Sequence, residues 1–389
     1  MMNDNADLYI GREQTLVKHF ILSKYLERFA HIVGTFADAI TYVDCFSGPW
    51  NVRSPELKDS SFALALAELR KARQTLAGIG RDVRLRCLFL ERDRNAHAKL
   101  KDFADHVDDI EVETQNLDLE AAIPDILDFV GRGGNRSFSF VFIDPTGWKG
   151  FAMSAIAPLL RLQPGEVLIN FMTGHIRRFI QSPDQPTQDS FIDLFGSADF
   201  RTHLVGLKEQ DREDAVVEAY AENVKRVGDF RYVCNAIVLH PEIDRTHFHL
   251  IYATRNPKGV DVFKDVEKQA MAMMEILRAD AQRRHRERKT RQRELFGSDV
   301  THRSTRYATL RKRYLNKAKE SVEGALAAKS GLLYDEAWER VVSVPLVWES
   351  DLKEWIRDWQ TDGCLQIQGM QPRQRVPHRG KENYLQWLI

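Results

Sequence analysis

Apolar residues recur at spacings of three and four in several stretches of the chain, and short unbroken apolar runs lie between them. Leu16, Phe20, Ile21, Tyr25, Leu26 and Phe29 make one face, which predicts a helix over residues 12–35. The apolar run 40–43 reads as a strand. A second helical pattern covers 60–76, with Asp59 or Ser60 available to cap its start and Gly78 and Gly80 beyond its end. Residues 85–90 read as a buried strand closed by Glu91, 97–107 as a helix, and 110–114 as a strand ending near Asn116 and Asp118. A helix over 124–130 stops at Gly131; a fourth strand at 138–143, its helix at 152–162 and a fifth strand at 167–171 follow.

Strands and helices that alternate at this spacing predict an α/β fold, doubly wound, with a mostly parallel sheet and helices on both faces. A less regular helical segment, 187–227, precedes the apolar runs 232–239 and 247–254. A short turn-rich stretch separates those runs, which predicts an antiparallel hairpin on the sheet edge. A long helix is expected from 260 to about 295. Its apolar stripe (Val266, Ala270, Met273, Met274, Leu277) ends near Ala281, where a basic run begins. After residue 330 come a helix at 334–342, a break at Pro345 and a helix at 350–360. Leu352, Trp355, Ile356 and Trp359 make one face of this second helix, and Gly363 ends it. Short strands at 365–368 and 383–388 bracket a loop with Arg373, Arg375, His378, Arg379 and Lys381. Helix, turn, helix and basic β-loop is the plan of a winged helix. The expected parts are therefore an α/β domain (1–262), a helical basic connecting region (263–330) and a small winged-helix-like domain (331–389).

Composition narrows the class of molecule. At 389 residues and 43% hydrophobic, the chain can bury a full core. No run of about eighteen apolar residues predicts a membrane span, and the start shows no secretory pattern. Cys45, Cys87, Cys234 and Cys364 are far apart, which argues against a zinc ribbon, an iron–sulfur site or a disulfide scaffold. The expected location is the cytoplasm. Formal charge sums to zero, yet residues 283–319 hold 14 Lys/Arg against three acids, a local excess of eleven. Such a field attracts polyanions whatever the total. Arg283, Arg284, Arg286, Arg288, Lys289, Arg291 and Arg293 are the candidate nucleic-acid contacts here, joined by Arg373 and Arg375 of the loop. The plainer reading is a solvated helix that pairs with acids elsewhere in the chain.

Two stretches carry the candidate chemistry. Thr41-Tyr-Val-Asp-Cys-Phe-Ser-Gly-Pro-Trp50 and Ser139-Phe-Val-Phe-Ile-Asp-Pro-Thr-Gly-Trp148 both read as an apolar strand ending in an aspartate and a tight turn. In a doubly wound sheet such ends share the carboxyl edge, where ligands bind. The pair resembles the cofactor and catalytic strands of S-adenosylmethionine-dependent methyltransferases. On that reading Asp44 and Phe46 flank the cofactor, Gly48 lets the backbone approach it, Glu91 takes the ribose hydroxyls and Asp118 meets the adenine amine. Trp50 stands where such turns usually carry glycine. Asp144 and the Pro145 carbonyl would accept hydrogen bonds from an exocyclic amine and aim its lone pair, while Trp148 stacks on a flat base. The plain alternatives are a capping aspartate at 44, a helix N-terminal acid at 91, a surface acid at 118 and a core tryptophan at 148. Asn170, Thr173, His175, Arg177 and Arg178 would form a substrate rim. His247 and His249 alternate on one strand, an arrangement more often structural than metal-binding, so no metal is expected.

Taken in order, Lys18-His-Phe-Ile-Leu-Ser-Lys-Tyr-Leu-Glu27, Tyr42-Val-Asp-Cys-Phe-Ser-Gly-Pro49, the helix start at Asp59, Phe142-Ile-Asp-Pro-Thr-Gly-Trp148 and Leu250-Ile-Tyr-Ala-Thr-Arg-Asn-Pro-Lys-Gly259 resemble the three-Cys-motif partner protein (TcmP) family. The resemblance covers about residues 12–300. It implies a methyltransferase-like domain and a companion protein with a three-cysteine, radical-SAM-like motif. Two activities are compatible with it. One is an S-adenosylmethionine-dependent amino-methyltransferase acting on nucleic acid; the other is a catalytically degenerate adaptor that binds DNA and presents it to that companion.

Overall fold

The computed structural model describes residues 6–49, 52–290 and 305–388. The chain divides into two compact units, with the changeover near residue 302. In the first unit, strands β1 (Ala39–Asp44), β2 (Arg84–Leu90), β3 (Glu111–Gln115), β4 (Ser137–Ile143), β5 (Gly165–Phe171), β6 (Tyr232–Leu239) and β7 (Thr246–Thr254) form one sheet in the order β3-β2-β1-β4-β5-β7-β6. The pairs among β1 to β5 are parallel, and β7 runs antiparallel to β5. Interior strands β1 and β5 are buried at every position, as parallel strands covered on both faces must be. The outer strand β3 is partly exposed along its length.

Helices cover both faces. On one side α1 (Glu13–Gly34) packs against α2 (Ser61–Ala77) and α9 (Pro257–Thr290). There Tyr25 and Phe29 of α1 meet Phe140 of β4, and Tyr42 stacks beside Phe140. On the other side lie α4 (Leu119–Gly131), α5 (Met153–Leu160), α6 (Thr173–Phe179), α7 (Gln185–Phe195) and α8 (Glu209–Gly228). Their apolar faces join Val43, Leu88, Val141 and Ile169 in one core. α3 (Arg94–Asp105) packs on β3.

Boundaries follow local chemistry. Ser60 caps α2 by accepting from Ala63 N at 3.3 Å, and Asp93 caps α3 by accepting from Ala96 N at 2.8 Å. α4 starts five residues before the expected position because Asp118 caps it, accepting from Ala121 N at 3.0 Å; Pro124 falls inside the helix. The irregular segment expected at 187–227 resolves into α7, a 3-10 turn at Asp199–Leu204 and α8, and α6 precedes it.

The second unit contains α10 (Arg306–Lys329), β8 (Gly331–Leu333), α11 (Tyr334–Val342), α12 (Glu349–Thr361), β9 (Leu365–Gln368) and β10 (Tyr384–Trp387). Its three strands form an antiparallel sheet in the order β8-β10-β9. The expected connecting region is thus shared, since α9 belongs to the first unit and α10 to the second. Basic residues dominate α10 in sequence and hide its stripe. Leu310, Tyr314, Ala318, Val322 and Leu326 recur every four residues and are all buried. No described helix is long and apolar enough to cross a membrane.

Candidate functional site at the carboxyl edge of the sheet

Register brings three acids to one edge. Asp44 stands opposite Phe89 of β2 and Phe142 of β4, so Glu91 and Asp144, two residues further on, end up beside it. The turn after β1 is anchored to the next strand, with Ser47 N donating to the Leu90 carbonyl at 2.7 Å.

Asp44 is fully buried. One carboxylate oxygen accepts from Phe46 N at 3.1 Å and the other from the Ser61 hydroxyl at 2.6 Å, which ties the turn to the first residue of α2. Burial outweighs these bonds and pushes its pKa up to about 6; the nearby Asp144 charge acts in the same direction. Phe46 packs against the core. Gly48 lies in the same turn; Trp50 lies outside the described residues.

Glu91 is also buried. Its backbone N–H donates to the Gln115 carbonyl at 3.1 Å, and its Oε1 accepts from Asp93 N at 2.6 Å. Asn116 steadies this strand end by donating to the carbonyls of Glu91 and Arg92 at 2.8 and 3.0 Å. Asp118 serves as the α4 cap described above.

Asp144 is held from two elements. Lys18 Nζ of α1 reaches Oδ2 at 2.5 Å, and the Asn170 side-chain amide donates to Oδ1 at 2.7 Å. The Lys18 ammonium also stands 5.9 Å from the Phe248 ring centre on β7. Asn170 appeared in the sequence as a rim residue; Lys18 appeared only inside a motif, with no role.

Among the described residues, two acceptors on this edge lack a hydrogen-bond partner: Gln115 Oε1 at the end of β3 and Asn170 Oδ1 near the end of β5. Buried acceptors left open are costly unless a ligand or water fills them. An adenosine-bearing ligand has amine and hydroxyl donors to offer such groups, and its cationic methionine end suits the acids. The residues present therefore fit S-adenosylmethionine.

Trp148 does not stand open as a stacking platform. Its indole donates to Ser190 Oγ at 3.0 Å, lies 5.4 Å from Phe191 at 24° and 5.1 Å from Phe179, and so packs against α6 and α7. Gly174 allows α6 to approach β7, since a Cβ there would sit 2.9 Å from the His247 carbonyl. Thr173 Oγ1 and His249 Nδ1 are 3.1 Å apart. Burial lowers the pKa of both His247 and His249 to about 4, with His240 and Arg245 adding to the shift at His247. Among the described residues, no group of three or more His, Cys, Asp or Glu is placed to hold a metal ion.

The candidate polyanion contacts lie elsewhere. On α9, Arg283 is 3.4 Å from Asp280 and 3.9 Å from Glu287, Arg284 pairs with Glu13, and Arg288 pairs with Glu242. Arg286 and Lys289 also lie on α9, whereas Arg291 and Arg293 fall outside the described residues. Arg373 and Arg375 are exposed on the β9–β10 loop of the second unit.

A seven-stranded sheet of this order, parallel except at the β7 edge, defines a methyltransferase-like α/β fold. No protein-family model and no curated protein matches the chain. Solved structures do match at low similarity. One is protein LPL1258 from Legionella pneumophila str. Philadelphia 1 (family-model DUF519), at 11% identity over 67% of this chain and 91% of that one, with a TM-score of 0.40. Another is a putative methyltransferase from Thermobifida fusca YX, at 10% identity over 63% and 83%, TM-score 0.33. Loganic acid methyltransferase matches at 9% identity over 68% and 87%, TM-score 0.29. The class rests on strand order and direction, not on these scores.

Proposed function

We propose that the chain is an S-adenosylmethionine-dependent methyltransferase that acts on an exocyclic amine in nucleic acid. The observation that carries this reading is the alignment of Glu91, Asp44 and Asp144 on three neighbouring strand ends, flanked by the open acceptors of Gln115 and Asn170. Glu91 and Gln115 would hold the nucleoside part, and the Asp44 turn the methionine part. The cofactor would supply an electrophilic methyl group. Asp144 would orient the target nitrogen and take up its proton, while Lys18 and Asn170 fix the carboxylate in place. The arrangement of the second unit suits a winged helix, and its basic loop suits phosphate contact.

A second reading keeps the fold and drops the chemistry. Both oxygens of Asp44 and both of Asp144 already accept hydrogen bonds within the chain. That self-satisfaction favours a degenerate adaptor, which would bind DNA and present it to a radical-SAM-like partner. We also place the protein in the TcmP family on its motifs, and in the cytoplasm, where free thiols such as buried Cys45, Cys87 and Cys234 persist.

The test is transfer of labelled methyl from S-adenosylmethionine to unmodified DNA and RNA. Label retained on either polymer supports the enzyme. No transfer by well-folded protein, with or without the three-Cys-motif companion, would leave the adaptor.

A further inference from the structure

Most of the arginines at the end of α9 are already engaged within their own unit. On α9, Arg283, Arg284 and Arg288 each face an acid of the same unit. A phosphate approaching these guanidinium groups must compete with Asp280, Glu287, Glu13 or Glu242. The β9–β10 loop differs. Arg373, Arg375 and Lys381 are exposed, and none has an acidic partner among the described residues.

This loop is also held in shape. Asn383 is 1% exposed. Its Oδ1 accepts from Gln374 Nε2 at 2.6 Å and from His378 N at 2.9 Å, and its Nδ2 donates to the Gly369 carbonyl at 2.8 Å. One buried amide thus ties together the two ends and the middle of the loop. Further along, Gly380 N donates to the Asp335 carboxylate at 3.1 Å, and the Arg379 guanidinium lies 4.0 Å from the Trp338 ring centre. Arg373 itself sits in left-handed backbone, φ 74°, a conformation that a non-glycine residue adopts only where its surroundings impose it. A fixed loop loses less conformational freedom on binding than a mobile one.

The neighbouring helix has the opposite charge. The outward residues of α12 include Glu354, Arg357 and Asp358, two acids to one base, and its buried face is spent on Leu352, Trp355, Ile356 and Trp359. A helix of that charge repels a phosphate backbone. In the helix-turn-helix geometry this second helix would enter the major groove. Here its charge opposes that role.

We infer that the second unit grips nucleic acid through the β9–β10 loop, with Arg373, Arg375 and Lys381 on the phosphodiester backbone, and that neither α12 nor the paired cations of α9 form the main contact. The inference rests on the nucleic-acid reading above and adds the surface that does the binding.

Fluorescence anisotropy on the full chain tests it, with labelled DNA and RNA duplexes of one sequence as separate probes across a salt series. Replacing Arg373, Arg375 and Lys381 together by Gln keeps the side-chain stems. This variant should bind at least tenfold more weakly, with a slope of log K against log salt shallower by about 2 to 3. Arg288→Gln, which removes a cation paired with Glu242, and Glu354→Gln should each bind within about twofold of the unaltered chain. Which probe responds tells DNA from RNA. Unchanged affinity in the triple variant, or a larger loss in Arg288→Gln, overturns the loop assignment while leaving the nucleic-acid reading standing. No binding of either duplex, or capture by anionic vesicles alone, removes both.

Discussion

The acids of the sheet edge and the cations of the β9–β10 loop are both candidate binding groups, yet they stand in opposite states. Asp44, Glu91 and Asp144 are each engaged by their own chain, through Phe46 and Ser61, Asp93, and Lys18 with Asn170 respectively. The loop cations face solvent on a backbone locked beneath them. A ligand at the edge must replace or share internal hydrogen bonds, so shape and chemistry select it. A ligand at the loop meets open charge, so selection there is weak and salt-dependent. The difference separates a site built for one molecule from a surface built for a polymer.

Removing the carboxylate at Asp144 should break the edge most severely. Asp144→Ala is expected to lower methyl transfer by about a thousandfold, the usual scale for losing a proton-handling group. Duplex binding through the loop should be unchanged. A parallel loss of both would show that the two regions are not separable.

Asp44 sharpens the same contrast through pH. Burial raises its pKa to about 6 in the folded protein from the ordinary value of 3.8, so the folded state holds this proton more tightly than the unfolded chain. Its favourable contribution is full at low pH and is lost as pH rises from about 4 through about 6, a change of about 3 kcal/mol. Asp44→Asn lacks that titration. In urea unfolding, the stability of the wild type relative to Asp44→Asn should therefore fall by about 3 kcal/mol as pH rises from about 4 to about 6 and stay level above that. Parallel pH profiles would contradict the burial account. His247 and His249 act with the opposite sign, gaining stability as pH rises above about 4, but they are common to both proteins and cancel in the difference.

The loop should respond more gently. Asn383→Ala strands the donors of Gln374 and His378 and should cost about 2 kcal/mol in unfolding of the second unit. Duplex affinity should fall severalfold although every cation remains. Affinity that survives unlatching would show that charge alone suffices.

Much of this molecule was legible from pattern. Strand β6 and helix α11 fall where periodicity and apolar runs predict them, and the three edge acids follow from strands that end in a carboxylate. Failures have particular causes. Pro124 drew the start of α4 inward, because proline favours a first turn, although Asp118 was capping chemistry in plain view. On α10, charge concealed a regular stripe. Trp148 offers the same indole to a base or to Phe191, and nothing local distinguishes the two. Lys18 meets Asp144 across 126 positions of sequence, a contact no local pattern contains. The pairing of α9 arginines with Glu13 and Glu242 is likewise a property of the folded chain.

Calorimetry with S-adenosylmethionine on the full chain tests the central claim most directly. Saturable binding is expected, weakened at least tenfold in Glu91→Ala and further as Asp44→Asn removes the charge facing the methionine end. Absence of binding by well-folded wild-type protein, or affinity indifferent to both substitutions, would contradict a cofactor site at this edge.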